Sequence, residues 1–281
     1  MSQLVSMEKI RRNMPLGFLD SLPAIQGPLN RSLETLLGIR QIDAHIRRVA
    51  HLRNHDFVHG LMRDLGLVYD CPPEHEARVP KTGRVVVAAN HPTGISELGM
   101  FDYLGCLRRD VKIVINETLL DIAANARDIV IPLPVFNRRD PKVQARLRGQ
   151  IREALEDEMM VLFFPSGVIS NRLPGGGIQD PEWKKGAFHA ARDTESPVLP
   201  AHIGARNSEW FYRIRSLGKV GETLSWTLLF REYLGHQDGT YPIRFGELIQ
   251  PDDMRPGENL SSEEMGEIAE MARQAAYSLA A

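Results

Sequence analysis

The chain has 281 residues, 43% of them apolar and 25% charged, with a formal net charge of −2. That length suits one large domain or two small ones, the composition is that of a folded globular protein, and the charge gives no general pull toward nucleic acid. The two cysteines, Cys71 and Cys106, are far apart and lack a metal-ligand spacing, which argues against a disulfide framework and fits a reducing cytoplasm.

The first 25 residues carry charges and prolines but no continuous apolar stretch, so no secretory signal is read there. Leu29, Leu33, Leu36, Leu37, Ile42, Ile46 and Val49 recur at helical spacing, and the first 70 residues read mostly as helix. Residues 1–60 hold eight Lys/Arg against five Asp/Glu, an excess of three positive charges. Such a stripe with basic flanks either packs as core or lies in a bilayer interface. Residues 71–83 form a polar, turn-rich connector. Strands are expected over 84–90, 111–116, 128–133, 159–164, 198–203 and 242–249. Helices are expected over 141–158 and 223–234, and from Ser261, where Glu264 completes a capping box. No stretch approaches the roughly 20 apolar residues that span a bilayer. Apolar strands separated by helices predict an α/β fold, a mainly parallel or mixed sheet covered by helices. The expected division is a helical N-terminal extension over 1–75 and one α/β domain over 76–281.

The segment that carries chemistry is Ala89-Asn90-His91-Pro92-Thr93-Gly94-Ile95-Ser96-Glu97. It follows a buried strand directly, and in open α/β sheets functional groups gather at the carboxyl ends of strands. Pro92 and Gly94 impose a turn that brings the Glu97 carboxylate back toward His91. An alcohol is a poor nucleophile at neutral pH, and a neutral imidazole can take its proton as the new bond forms. A carboxylate on the other ring nitrogen sets the tautomer and stabilises the developing imidazolium. Backbone amides near the turn are candidates to hold an oxyanion.

At these residues the sequence resembles the glycerolipid acyltransferase family, which includes bacterial 1-acylglycerol-3-phosphate acyltransferases. Four blocks stand in the family's order: Asn90-His91-Pro92, Val135-Phe136-Asn137-Arg138, Phe164-Pro165-Ser166-Gly167 and Val198-Leu199-Pro200. The segments 183–187 and 243–249 are also similar to family segments, and the resemblance covers roughly residues 80–250. It implies that a fatty acyl group moves from an acyl-carrier-protein (ACP) or coenzyme A (CoA) thioester to a hydroxyl of a lysolipid or related lipid acceptor. His91 would be the general base and Glu97 its acid, with Asp102 the other candidate. Substrate-binding roles are implied for Arg138, Phe164, Pro165, Ser166, Gly167 and Lys185. Neither a cofactor nor a metal is implied. The expected place is the cytoplasm, peripheral at the inner face of the cell membrane.

The sequence departs from the family pattern at three points. Ser96 occupies the usual acid position and Glu97 follows it, as in similar bacterial sequences reading His-Pro-Thr-Gly-Ile-Ala-Asp. Ser166 replaces an acceptor-binding glutamate, and Ile169 replaces an arginine that contacts phosphate. Both losses disfavour a lysophosphatidate acceptor, and Arg138, Arg139 and Arg172 are the candidates to supply the missing charge. The basic run from Arg138 to Arg152 is either a solvated helix face or a cradle for an anionic partner. Two other readings stand beside the transferase. One is a thioester or ester hydrolase using the same pair, although no nucleophile elbow surrounds Ser166. The other is a lipid-binding or scaffold protein on the same fold.

Overall fold

A strand with no polar residue has no face to offer water, so it belongs between two layers of helices. Val85–Ala89 is such a strand, and all five residues are buried. In the computed structural model, which describes residues 34–121, 124–134, 140–173 and 175–280, it lies in the middle of a seven-stranded sheet. The elements in chain order are α1 (Ile39–Val49), α2 (Asn54–Asp64), β1 (Val68–Asp70), α3 (Pro73–Glu76), β2 (Val85–Ala89), α4 (Gly94–Leu107), β3 (Val111–Asn116) and β4 (Val130–Leu133). They continue with α5 (Pro141–Glu156), β5 (Met160–Phe163), β6 (Asn171–Arg172), β7 (Ile178–Gln179), α6 (Gly186–Asp193), β8 (Val198–Ile203), α7 (Glu209–Arg215), α8 (Gly218–Gly235), β9 (Thr240–Phe245) and α9 (Ser262–Tyr277).

The sheet order is β1-β9-β8-β2-β5-β3-β4. The five strands from β8 to β4 run parallel, β9 is antiparallel to β8, and β1 is parallel to β9. β2 lies between β5 and β8, with Ala88 opposite Phe163 on one side and Pro200 on the other. The chain therefore leaves β2 and β5 side by side, at the same edge. On one face Val86, Ala88, Val161 and Phe163 pack with Phe188 of α6 and Met265 of α9. Burying each such large side chain contributes roughly 1.5–3 kcal/mol. The expected helix cap at Ser261 is present: its hydroxyl accepts the Glu264 N–H, and Glu264 reaches back to the Ser261 N–H.

The sheet belongs to a unit of residues 68–117, 128–206 and 240–281. A second unit comprises residues 118–127 and 207–239 with the described part of the chain before Val68. The sequence reading divides the chain once, after residue 75, whereas these units interleave. In the helical unit Ile39, Ile42, Ile46 and Val49 form the buried stripe of α1. The stripe does not run unbroken into the preceding residues, because Gly38 turns left-handed at φ 73°. Leu29 and Leu33 lie outside the described residues.

Four other elements differ from expectation. β9 ends at Phe245, and beyond it Ile249 forms an isolated bridge to Val198. α8 begins at Gly218 rather than at residue 223. α3 and the three-residue β1 interrupt or border the expected connector; neither is long enough to show a period.

Candidate active site

The site is built where β2 ends. Asn90 ties the strand exit to β8: its amide donates to the Ile203 carbonyl at 3.2 Å, and its side-chain oxygen accepts the Ile203 N–H at 2.8 Å. His91 follows, only 7% exposed. Thr93 then caps α4. Its hydroxyl accepts the Ser96 N–H at 3.1 Å, while Ser96 Oγ accepts the Thr93 N–H at 3.3 Å. Ser96, at the position where the family usually has an acid, is thus the reciprocal member of a capping box. The acid comes one residue later, about 100° further round the helix, and Glu97 Oε1 lies 3.1 Å from His91 Nε2. The ring of Phe164, leaving β5 next door, packs on the imidazole with centroids 5.1 Å apart. Asp102, the other candidate acid, accepts from Tyr69 Oη at 2.9 Å instead.

A buried carboxylate that the sequence did not point to holds the main chain at this position. Asp180 is 1% exposed, and both its oxygens accept the His91 backbone N–H, at 3.2 and 3.1 Å. Ser170 Oγ lies 2.6 Å from Asp180 Oδ1, and Trp183 Nε1 donates to Oδ2 at 2.9 Å. The Ser170 N–H donates to the His91 carbonyl at 2.8 Å. The peptide unit of Asp180 is anchored on α9: its N–H donates to Tyr277 Oη at 2.7 Å, and its carbonyl accepts from Arg273 at 3.1 Å. A lone aspartate in a loop between β7 and α6 has no periodicity to betray it. The nearest signal was Trp183, three residues on, in a family-like segment. Nearby, burial lowers the His202 imidazole to about 4, against the opposing pull of Asp180. Its ring meets Tyr277 edge-on at 5.8 Å.

The loop after β5 brings together most of the other expected residues. Gly167 has φ 64°, a left-handed turn that favours glycine, and its N–H donates to the Phe164 carbonyl at 2.9 Å. Ser166 is buried and donates its hydroxyl to the Val168 carbonyl at 2.8 Å, inside its own loop. Ile169 is also buried, so an apolar side chain fills the place of the family's arginine. The Pro165 carbonyl accepts the Lys184 N–H at 2.9 Å. A Cβ at Gly167 would come 2.6 Å from Lys184 Nζ, so the Lys184 ammonium lies against this turn. The expected lysine, Lys185, instead donates to Ser262 Oγ at 2.8 Å, in the first turn of α9. Adjacent residues point in different directions, and spacing could not choose between them. Arg172 is exposed in the small β6–β7 ribbon, and Arg138 and Arg139 lie outside the described residues. Of the backbone amides near the turn, those of His91, Thr93 and Ser96 are occupied by Asp180, Ser96 and Thr93.

This arrangement can hold an imidazole, pair it with a carboxylate and present both beside a neighbouring strand's loop. Residues 24–281 match the model of a family described as Acyltransferase. A lyso-glycine lipid O-acyltransferase from Bacteroides thetaiotaomicron is 26% identical over 176 residues, covering 61% of this chain and 62% of that protein. A protein of the same description from Phocaeicola vulgatus is 24% identical over 176 residues, covering 61% of each. The matched region therefore spans about three fifths of the length of these curated relatives. The crystal structure of the 1-acyl-sn-glycerophosphate acyltransferase PlsC from Thermotoga maritima aligns with a TM-score of 0.46 at 16% identity, covering 84% of this chain and 78% of that one. With its family model matched over nearly all its length, the chain belongs to the acyltransferase family.

Proposed function

We propose that the protein transfers a fatty acyl group from an acyl thioester to a hydroxyl of a lysolipid, with His91 as general base. The observation that carries this reading is the contact of 3.1 Å between His91 and Glu97 at the carboxyl end of the central strand. The carboxylate orients the ring and steadies the imidazolium, while the other ring nitrogen accepts the proton. The acceptor oxygen attacks the thioester carbonyl, the new C–O bond forms, the C–S bond breaks, and the imidazolium returns its proton to the thiolate. A thioester is already activated, so neither a covalent enzyme intermediate nor a further cofactor is required. With three amides of the turn occupied, those of Gly94 and Ile95 at the start of α4 are our candidates for the oxyanion.

Acyl-ACP or acyl-CoA fits as donor, because both are anionic and α5 exposes Lys142, Arg146 and Arg148. For the acceptor, the names of the relatives support a lyso-glycine lipid. Buried Ile169 and the inward-turned Ser166 disfavour a phosphate-bearing one. The test is to incubate the purified protein with a labelled acyl thioester and either a total lipid extract or a lyso-glycine lipid. We expect a labelled O-acyl ester that His91→Ala no longer makes. Release of free fatty acid alone would indicate a hydrolase, and undiminished transfer by His91→Ala would remove the proposed base.

We also propose a peripheral place at the inner face of the cell membrane, where a cytoplasmic donor meets a lipid acceptor. Among the described residues no helix is long and apolar enough to cross a bilayer. Support comes from α7 and the residue pair following it, where Trp210 is 70% and Leu217 69% exposed, with exposed Arg213 between them. An amphipathic aromatic ring beside an arginine suits an anionic lipid interface. Vesicles of anionic phospholipid should co-sediment the protein, and Trp210→Ala with Leu217→Ala should weaken that binding several-fold. Equal binding by the double variant would sink the assignment of this surface.

A further inference from the structure

The carboxylate of Asp180 is deeply buried, and everything it is seen to accept from is a neutral donor: a backbone N–H, a serine hydroxyl and an indole N–H. Burying a carboxylate is expensive unless its lone pairs are matched. Here none of the three donors belongs to a helix or strand, and one is the amide of the histidine itself. From these contacts we propose that Asp180 is a positioning residue for His91. It fixes the Cα of His91 from the main-chain side, as Glu97 fixes the ring from the side-chain side. The inference rests on reading His91 as the base.

The geometry explains why a main-chain clamp is needed. His91 has left β2 and has not yet entered α4, so neither ladder nor helix fixes its backbone. Asn90 anchors the residue before it to β8, and Thr93 begins the cap two residues after it. Between those anchors, the His91 N–H is held by Asp180 and the His91 carbonyl by Ser170. Asp180 in turn is fixed to α9 through Tyr277 and Arg273. Both polar groups of the His91 peptide are thus set by a loop about 80–90 residues away. A shift of about 1 Å at a reacting group costs on the order of 100-fold in rate; on this proposal the loss falls on turnover rather than on substrate binding.

Asp180→Asn keeps the volume but removes the charge and one of the two acceptor oxygens: the remaining oxygen must serve both the His91 N–H and the Trp183 indole, and the amide N–H₂ can be met only by the Ser170 hydroxyl turning to accept. With a lyso-glycine lipid and an acyl-CoA as probes, we expect kcat per folded molecule to fall about 10- to 100-fold, while KM for each substrate stays within about threefold. Ser170→Ala is the milder variant, for use if Asp180→Asn does not fold. It loses the hydroxyl contact yet keeps the backbone bonds, and kcat should fall about 3- to 10-fold at unchanged KM. Met265→Ala, in the core beneath α9, serves as a control for destabilisation, with a lower Tm but kcat per folded molecule retained. If the foldable variants lose only Tm, with kcat per folded molecule unchanged, Asp180 is merely structural and the proposal is overturned. A rise in KM with kcat intact would overturn it too, since it would mark a binding role. If His91→Ala itself stays active, it is the reading of the base that fails, and that outcome is separate.

Discussion

Among the described residues, His45 in the helical unit and His91 in the sheet unit each meet a carboxylate, in contrasting surroundings. In the helical unit His45 Nδ1 lies 2.6 Å from Asp64 Oδ2, and the Gln237 amide lies 3.1 Å from Nε2. Arg48 Nε reaches both Asp64 oxygens at 2.9 Å. Burial raises the Asp64 carboxyl, but hydrogen bonds from Arg48 and His45 outweigh it and hold it below its usual value. Both ring nitrogens are spent on protein groups, and the carboxylate is shared with a cation. That is a staple between α1 and α2, with a turn beyond α8 closing it. In the sheet unit His91 pairs with Glu97 at the mouth of a central parallel strand, beside the loop that leaves the next strand. The lesson is that a His–carboxylate pair is not in itself a catalytic signature. The element that ends there and the groups that share the carboxylate decide what it does.

The largest effect that sharpens this contrast is on turnover. His91→Ala should reduce acyl transfer by at least about 1,000-fold with the fold intact. His45→Ala should leave kcat unchanged and lower Tm, having removed one buried hydrogen-bond partner, worth about 1–3 kcal/mol. Matching losses of activity in both variants, measured as kcat per folded molecule, would erase the distinction. Glu97→Gln comes next. It keeps the shape and removes the charge that steadies the imidazolium, so kcat should fall about 10- to 1,000-fold with KM little changed. A Glu97→Gln enzyme at full speed would leave the helix-side acid with only a structural part.

The smallest effect concerns stability and acid. Burial lowers His202 to about 4 in the folded protein, against about 6.5 in the unfolded chain. Between those values the unfolded chain holds a proton that the folded one refuses. Stability from this residue is therefore complete above about pH 6.5 and declines as the pH falls toward about 4, by up to ~3 kcal/mol. Denaturant titrations at several pH values should show this slope, and His202→Gln should flatten it. An unchanged slope in that variant would assign the acid sensitivity to other groups.

Much of the sheet was legible because its signal is local. An unbroken apolar run such as Val85–Ala89 states its own burial, and β3 and β8 have the ends that hydrophobicity alone suggests. Capping is local too, and the Ser261–Glu264 box shows in four consecutive residues. The proximity of His91 to Glu97 lies six residues apart in the chain and follows from a strand, a turn and a helix start. What escaped was whatever depends on partners far along the chain. Lys184 rather than Lys185 lies against Gly167, because the backbone bond to Pro165 decides which of two neighbouring side chains turns to that loop.

The chain by itself therefore determined the longer strands of the sheet, the cap at Ser261 and the residue types that stand at the end of β2, because these follow from burial and hydrogen bonding within a few residues. Only the tertiary structure decided the company they keep. Asp180 reaches the amide of His91 across 89 residues. It does so because β2 and β5 are neighbours in the sheet and α9 anchors the returning loop, and sheet order is a property of the whole chain's packing rather than of any segment.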